Sequence, residues 1–142
     1  MNLKPKRIHN YVLKNLLSIS IGIVYLWFGV LKLVPETSPA ELLAKRTITV
    51  LTFGLIPSSI SILLLAMVEV IIGLFLILGL FKKMTLKMAM LHLFFTFSPF
   101  LIIPYESFTL PPLIPTLLGQ YILKNLVIFA ALLTLYKENS KV

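Results

Sequence analysis

Four apolar runs, at about 13–34, 59–81, 86–103 and 117–136, each approach the roughly 20 residues a helix needs to cross the hydrocarbon core of a bilayer. In hydrocarbon every backbone polar group must be paired within the protein, and separated runs of this length meet that demand as helices. The expected fold is therefore all-α: an integral membrane four-helix bundle forming one domain over residues 1–142. With 58% of residues hydrophobic and 13% charged, the chain is too apolar for an ordinary soluble domain.

The formal net charge of +8 is distributed unevenly. Lys4, Lys6, Arg7 and Lys14 precede or open the first run, and Lys82, Lys83 and Lys87 fill the turn between the second and third. Residues 35–58 balance Glu36 and Glu41 against Lys45 and Arg46, and residues 104–116 carry only Glu106. The positive-inside rule then predicts a multi-pass protein with both termini in the cytoplasm and the two longer loops facing outward. Since the basic residues mostly flank apolar runs, orientation explains them; the expected partner is the lipid bilayer, and nucleic acid is set aside. A basic stretch before an apolar one also suits a signal peptide, but the run is too long and no small-x-small site follows it, so an uncleaved first span is expected.

Cysteine is absent, which excludes thiol–disulfide exchange, iron–sulfur ligation and thiolate zinc sites by this chain. His92 is the one histidine inside a span, His9 lying in the tail, so a haem held by two in-membrane histidines of one chain is excluded as well. No metal site and no catalytic residue are assigned, and an enzyme is not the favoured reading.

The first outer loop has structure of its own. Ser38-Pro39-Ala40-Glu41 has the pattern of an N-cap, a proline at the first helical position and a capping-box glutamate, followed by Leu42, Leu43, Ala44 and Ile48 until Gly54 and Pro57. A short amphipathic interfacial helix over about 39–53 is expected, either anchoring the surface or covering a cavity mouth. Pro104, Pro111, Pro112 and Pro115 keep the second outer loop from being helical throughout and make it a stiff strap.

Lipid satisfies apolar faces, so small and polar residues mark the faces chosen for helix contact. The first run offers Ser18, Gly22, Tyr25, Gly29 and Lys32, the second Ser59, Ala66, Glu69 and Gly73. The third offers Thr85, Ala89, His92, Thr96 and Pro99, the fourth Gln120, Lys124, Val127, Ala131 and Thr134. Glu69 dominates, because a carboxylate near the middle of a span costs several kcal/mol unless paired. Counting about 1.5 Å per residue puts Glu69, His92 and Tyr25 at similar depth, Lys124 about a turn shallower, and Lys32 with Gln120 near the outer rim. On that count Lys124 is the first-choice partner of Glu69 and His92 the second, with Lys32 able to snorkel to the surface. Tyr121 and Asn125 flank Lys124 and are placed to complete its hydrogen bonding.

Three stretches carry a family resemblance. Gly22…Gly29-Val30-Leu31-Lys32-Leu33, Glu69-Val70-Ile71-Ile72-Gly73…Gly79 and Gly119-Gln120-Tyr121-Ile122-Leu123-Lys124-Asn125-Leu126, in that order over nearly the whole chain, resemble the DoxX-like family of small bacterial membrane proteins. Ser38-Pro39-Ala40-Glu41 and Leu51-Thr52-Phe53-Gly54 resemble a branch with a helical first outer loop. The resemblance implies a four-helix bundle in the bacterial cytoplasmic (inner) membrane, associated with redox systems, with Lys32, Glu69 and Lys124 at the family's polar positions. His92 matches none of its motifs.

The expected function is that of a non-enzymatic subunit or accessory protein that docks a membrane redox partner or holds a quinone-like lipophilic ligand in an outward-facing polar cavity. A small-molecule or proton-coupled transporter using Glu69 and Lys124 is the alternative, although the chain has no internal repeat; a homo-oligomer would supply one. A purely structural assembly protein is the third. The residues on which the choice rests are Glu69, Lys124, His92, Lys32, Gln120, Tyr25 and Asn125.

Overall fold

The computed structural model describes residues 5–34, 37–38 and 41–140, with side chains from residue 15 onward. Four stretches, Asn15–Leu33, Ser58–Leu78, Lys82–Ile102 and Leu117–Ser140, are long and apolar enough to cross a membrane, close to the four runs expected. The elements are α1 (Pro5–Leu33), α2 (Glu41–Leu51), α3 (Ser58–Leu78), α4 (Lys82–Thr96), α5 (Pro99–Ile102), α6 (Pro104–Ser107), the two-stranded antiparallel hairpin β1 (Phe108–Leu110) and β2 (Ile114–Pro115), and α7 (Leu117–Ser140).

The long helices associate as two pairs. α1 packs along α3 and α4 along α7, while contacts between the pairs are sparser. Glycine sets the first pairing: a Cβ on Gly22 would fall 2.8 Å from the Gly73 carbonyl oxygen, and one on Gly73 would fall 2.6 Å from the Leu26 nitrogen. Backbone meets backbone there, as small residues allow when lipid gives no hydrophobic drive for association. Ser18 adds a hydrogen bond to the Leu76 carbonyl at 3.0 Å. Between the pairs, Ile21, Ile72, Leu76, Leu86, Leu93 and Leu132 form a buried core toward the end opposite α2.

Turn chemistry explains the helix ends. Helix α3 stops at Gly79, whose φ of 69° is left-handed. The Leu80 amide then bonds back to the Phe75 carbonyl at 3.0 Å, so α4 begins after a tight turn and lies beside α3. Helix α2 closes likewise: the Gly54 amide reaches the Thr49 carbonyl and the Phe53 amide the Val50 carbonyl, a Schellman pair. Here the left-handed residue before Gly54 is Phe53, at φ 52° and 92% exposed. At the start of α7 the Thr116 hydroxyl accepts from the Gly119 amide and donates to the Glu106 carbonyl, which ties the helix to α6.

Several expectations need correcting. The third run has the expected spanning length, Lys82–Ile102, but is interrupted within it: Pro99 lacks an amide donor, the last α4 turns tighten to i→i−3 bonds at Phe97 and Ser98, and α5 restarts beyond it. The proline-rich segment 104–116, expected as a stiff strap, contains α6 and the hairpin, which its prolines do not announce. Ser38 does not cap α2 through its side chain, since its buried hydroxyl has no partner and Glu41 instead pairs with Lys45 at 2.5 Å. Pro39 and Ala40 of the expected cap, and the side chains of Lys4, Lys6, Arg7 and Lys14, lie outside the described residues.

The seams fare unequally. All five members of the α1 seam are buried, as are Ala66, Glu69 and Gly73 of α3 and Thr85, Ala89 and Pro99 of the third. The α7 seam is displaced: Gln120, Lys124, Val127 and Thr134 are exposed, and the helix buries Gly119, Ile122 and Leu132 instead. On a helix this apolar, either face is acceptable to lipid, so polarity alone does not set its rotation.

Candidate functional site

Glu69 and Lys32 form a buried ion pair, Oε2 to Nζ at 2.6 Å, each side chain about 8% exposed. The expected Glu69–Lys124 pair is thereby corrected, and so is the surface placement of Lys32. The reason lies in side-chain direction, which depth counting ignores. Helical side chains lean toward the N-terminus of their own helix. Helix α1 runs toward the α2 end, so Lys32 leans back into the bundle; α3 runs away from it, so Glu69 leans up to meet Lys32. Lys124 on α7, parallel to α3, leans toward the rim. Gly29 completes the geometry, since a Cβ there would lie 3.0 Å from the Glu69 Cβ, which brings the backbones within reach.

The second carboxylate oxygen of Glu69 faces His92 Nε2 at 3.3 Å, close but off the line of a proper hydrogen bond. On the far side of the ring, Nδ1 lies 3.3 Å from the Tyr25 hydroxyl, which also sits 3.1 Å from the Ala89 carbonyl. A neutral imidazole has one donor and one acceptor. Facing a carboxylate with Nε2 bare would set lone pair against lone pair, so a neutral ring carries its proton on Nε2, and the single Tyr25 hydroxyl proton is then shared between the Ala89 carbonyl and Nδ1. The ring also meets Tyr25 edge to face at 5.4 Å. Lys32, Glu69, His92 and Tyr25 thus link α1, α3 and α4 in one polar chain.

Above this chain is a cavity of about 470 Å³, lined chiefly by apolar side chains. Leu43, Thr47, Ile48 and Leu51 of α2 line it from one side, and Tyr25, Lys32, Glu69 and His92 line it as well. Lys124 and Asn125 line it from α7. The Lys124 ammonium stands 5.1 Å from the centroid of the Tyr121 ring. Asn125 is turned to Thr96, at 3.4 Å, rather than to Lys124. Gln120, expected in this cluster, is exposed and does not line the cavity.

Thr47, which the sequence reading does not single out, lines the cavity, and so does Ser38. For Thr47 a signal existed: Leu43, Thr47 and Leu51 recur at four-residue spacing, one face of a short helix. Ser38 had been read only as a cap. Among the described residues no cluster of three or more histidine, cysteine or carboxylate side chains is arranged to hold a metal ion. Set against known proteins, the chain matches no family model, no curated protein and no solved structure.

Proposed function

We propose that the chain is a multi-pass protein of the bacterial inner membrane, a non-enzymatic subunit or accessory protein that holds a small lipophilic molecule with a polar head in the cavity beneath α2. The observation that carries this reading is the cavity itself. Its volume of about 470 Å³ falls within the range of small-molecule sites, and its walls are apolar apart from a few convergent polar groups. An architectural ion pair needs no such space beside it.

Orientation follows from charge. The end opposite α2 carries Lys82, Lys83, Lys87 and Lys137 against Glu138, whereas the α2 end offsets Lys45 and Arg46 with Glu41 and Glu106. Both termini then face the cytoplasm, the cavity opens in the outer half of the bilayer, and α2 lies at the interface with exposed Leu42, Val50 and Phe53. The DoxX-like resemblance extends the same proposal to a quinone-like ligand and a membrane redox partner.

The test is purification in a mild detergent, followed by solvent extraction and mass spectrometry of what co-purifies. A lipophilic compound recovered in near-stoichiometric amount supports the reading. Protein that carries only bulk phospholipid, in the proportions of the membrane, argues for a structural role.

A further inference from the structure

We infer that the cavity takes a single-chain amphiphile with an acidic head, admitted sideways between α1 and α7 and held at its head by Lys124. This rests on the proposed binding role and narrows it from a polar head to an anionic one.

Charge is the first argument. The Lys32 and Glu69 charges cancel each other at 2.6 Å, and His92 offers its Nε2 to the same carboxylate. Lys124 lines the same cavity, and among the described residues no carboxylate pairs with it; its close neighbour is the Tyr121 ring. The polar lining therefore carries one uncompensated positive charge at the edge of an apolar space. An anion bound there would satisfy it.

Unsatisfied donors are the second. Ser38, only 7% exposed, also lines the cavity, and among the described residues its hydroxyl has no hydrogen-bond partner. A buried hydroxyl without a protein partner can hydrogen-bond a polar group that enters the cavity.

The route comes from exposure. Val24 and Phe28 on α1, and Tyr121 and Lys124 on α7, both line the cavity and are exposed. They belong to two helices that make few contacts with each other, where the two helix pairs are weakly joined. The opening therefore lies on the side of the bundle, at the level of the long apolar helices. A volume of about 470 Å³ suits one chain rather than the two of a phospholipid.

The experiment places the full chain in phosphatidylcholine nanodiscs at pH 8 with a diazirine-bearing dodecanoate as photoprobe. Unlabelled dodecanoate, dodecanol, phosphatidylglycerol and a short-chain ubiquinone analogue serve as competitors. Cross-links are expected within Val24–Phe28 and Leu118–Ile128. Dodecanoate should compete at least roughly tenfold better than dodecanol, the worth of a charge-assisted hydrogen bond. Lys124→Gln should weaken dodecanoate roughly ten- to hundredfold and leave dodecanol unchanged, which also shows that the variant is folded. Lys45→Gln, outside the cavity, should change neither.

Equal competition by dodecanol, an unaffected Lys124→Gln variant, or an equal loss in Lys45→Gln would overturn the inference. Phosphatidylglycerol competing as well as dodecanoate would overturn the single-chain assignment in favour of a lipid headgroup. Preference for the ubiquinone analogue over dodecanoate would overturn the acidic head while leaving the cavity reading intact. Absence of any saturable cross-linking would overturn both.

Discussion

Removing one member of the Lys32–Glu69 pair strands the other charge in a space that is about 92% closed to solvent, given side chains 8% exposed. Breaking a buried pair from one side typically costs about 3–5 kcal/mol, whereas replacing both members by neutral groups of similar volume is often nearly neutral. The two single variants are not equivalent. Lys32→Met leaves Glu69 with His92 at 3.3 Å, while Glu69→Gln leaves the Lys32 ammonium with the Phe28 carbonyl at 3.5 Å and the Phe28 ring, 6.0 Å to its centroid. Glu69→Gln should therefore be the worse of the two, toward the upper part of that range, and Lys32→Met toward the lower. The double variant should lie within about 1 kcal/mol of the parent, giving a coupling of at least about 2 kcal/mol. Lys124→Met, an exposed change, should sit near zero. Unfolding by sodium dodecyl sulfate in mixed micelles, followed through Trp27, the chain's one tryptophan, gives these differences directly. Additive Lys32 and Glu69 effects, or rescue of Glu69→Gln by Lys124→Met instead of Lys32→Met, would refute the reasoning.

Gly22→Leu should destabilise the α1–α3 contact by about 1–3 kcal/mol in the same titration, because its Cβ alone would meet the Gly73 carbonyl at 2.8 Å. Tyr25→Phe should cost about 1 kcal/mol through loss of the one hydroxyl proton shared between the Ala89 carbonyl and His92, with the core otherwise kept. Arg46→Gln, which opens the exposed bridge to Glu106, should change stability by no more than about 1 kcal/mol. A cysteine placed at Leu113, 78% exposed in the hairpin turn, should react with an impermeant maleimide in intact cells; reaction only after permeabilisation would invert the proposed orientation.

The four spans were legible because twenty-residue apolar runs have few other fates, and Gly54 marked a helix end that does occur. Glu69 was legible as the residue that must be paired, and Tyr25 and His92 as its company. The identity of the partner was not, because position along a helix axis says nothing about which way a lysine leans; Lys32 reaches Glu69 through side-chain direction and the close approach at Gly29. Rotation of α7 was hidden for another reason. With Leu, Ile and Val on most sides, its polar stripe was the only visible marker, and that stripe is exposed, with Lys124 at the cavity mouth and Gln120 outside it. The hairpin at Phe108–Pro115 depends on pairing across a proline-rich turn that short-range patterns do not encode.

Filling the cavity tests the central claim most directly. Ala44 on α2 lines it, and Ala44→Trp would place an indole in that space while leaving the Lys32–Glu69 pair untouched. Native mass spectrometry of the parent and the variant, each released from nanodiscs made with lipid extract of the source membrane, compares their retained small molecules. The account predicts a discrete adduct on the parent that is lost from a folded Ala44→Trp protein. An adduct retained unchanged in Ala44→Trp, or none on the parent, would contradict it.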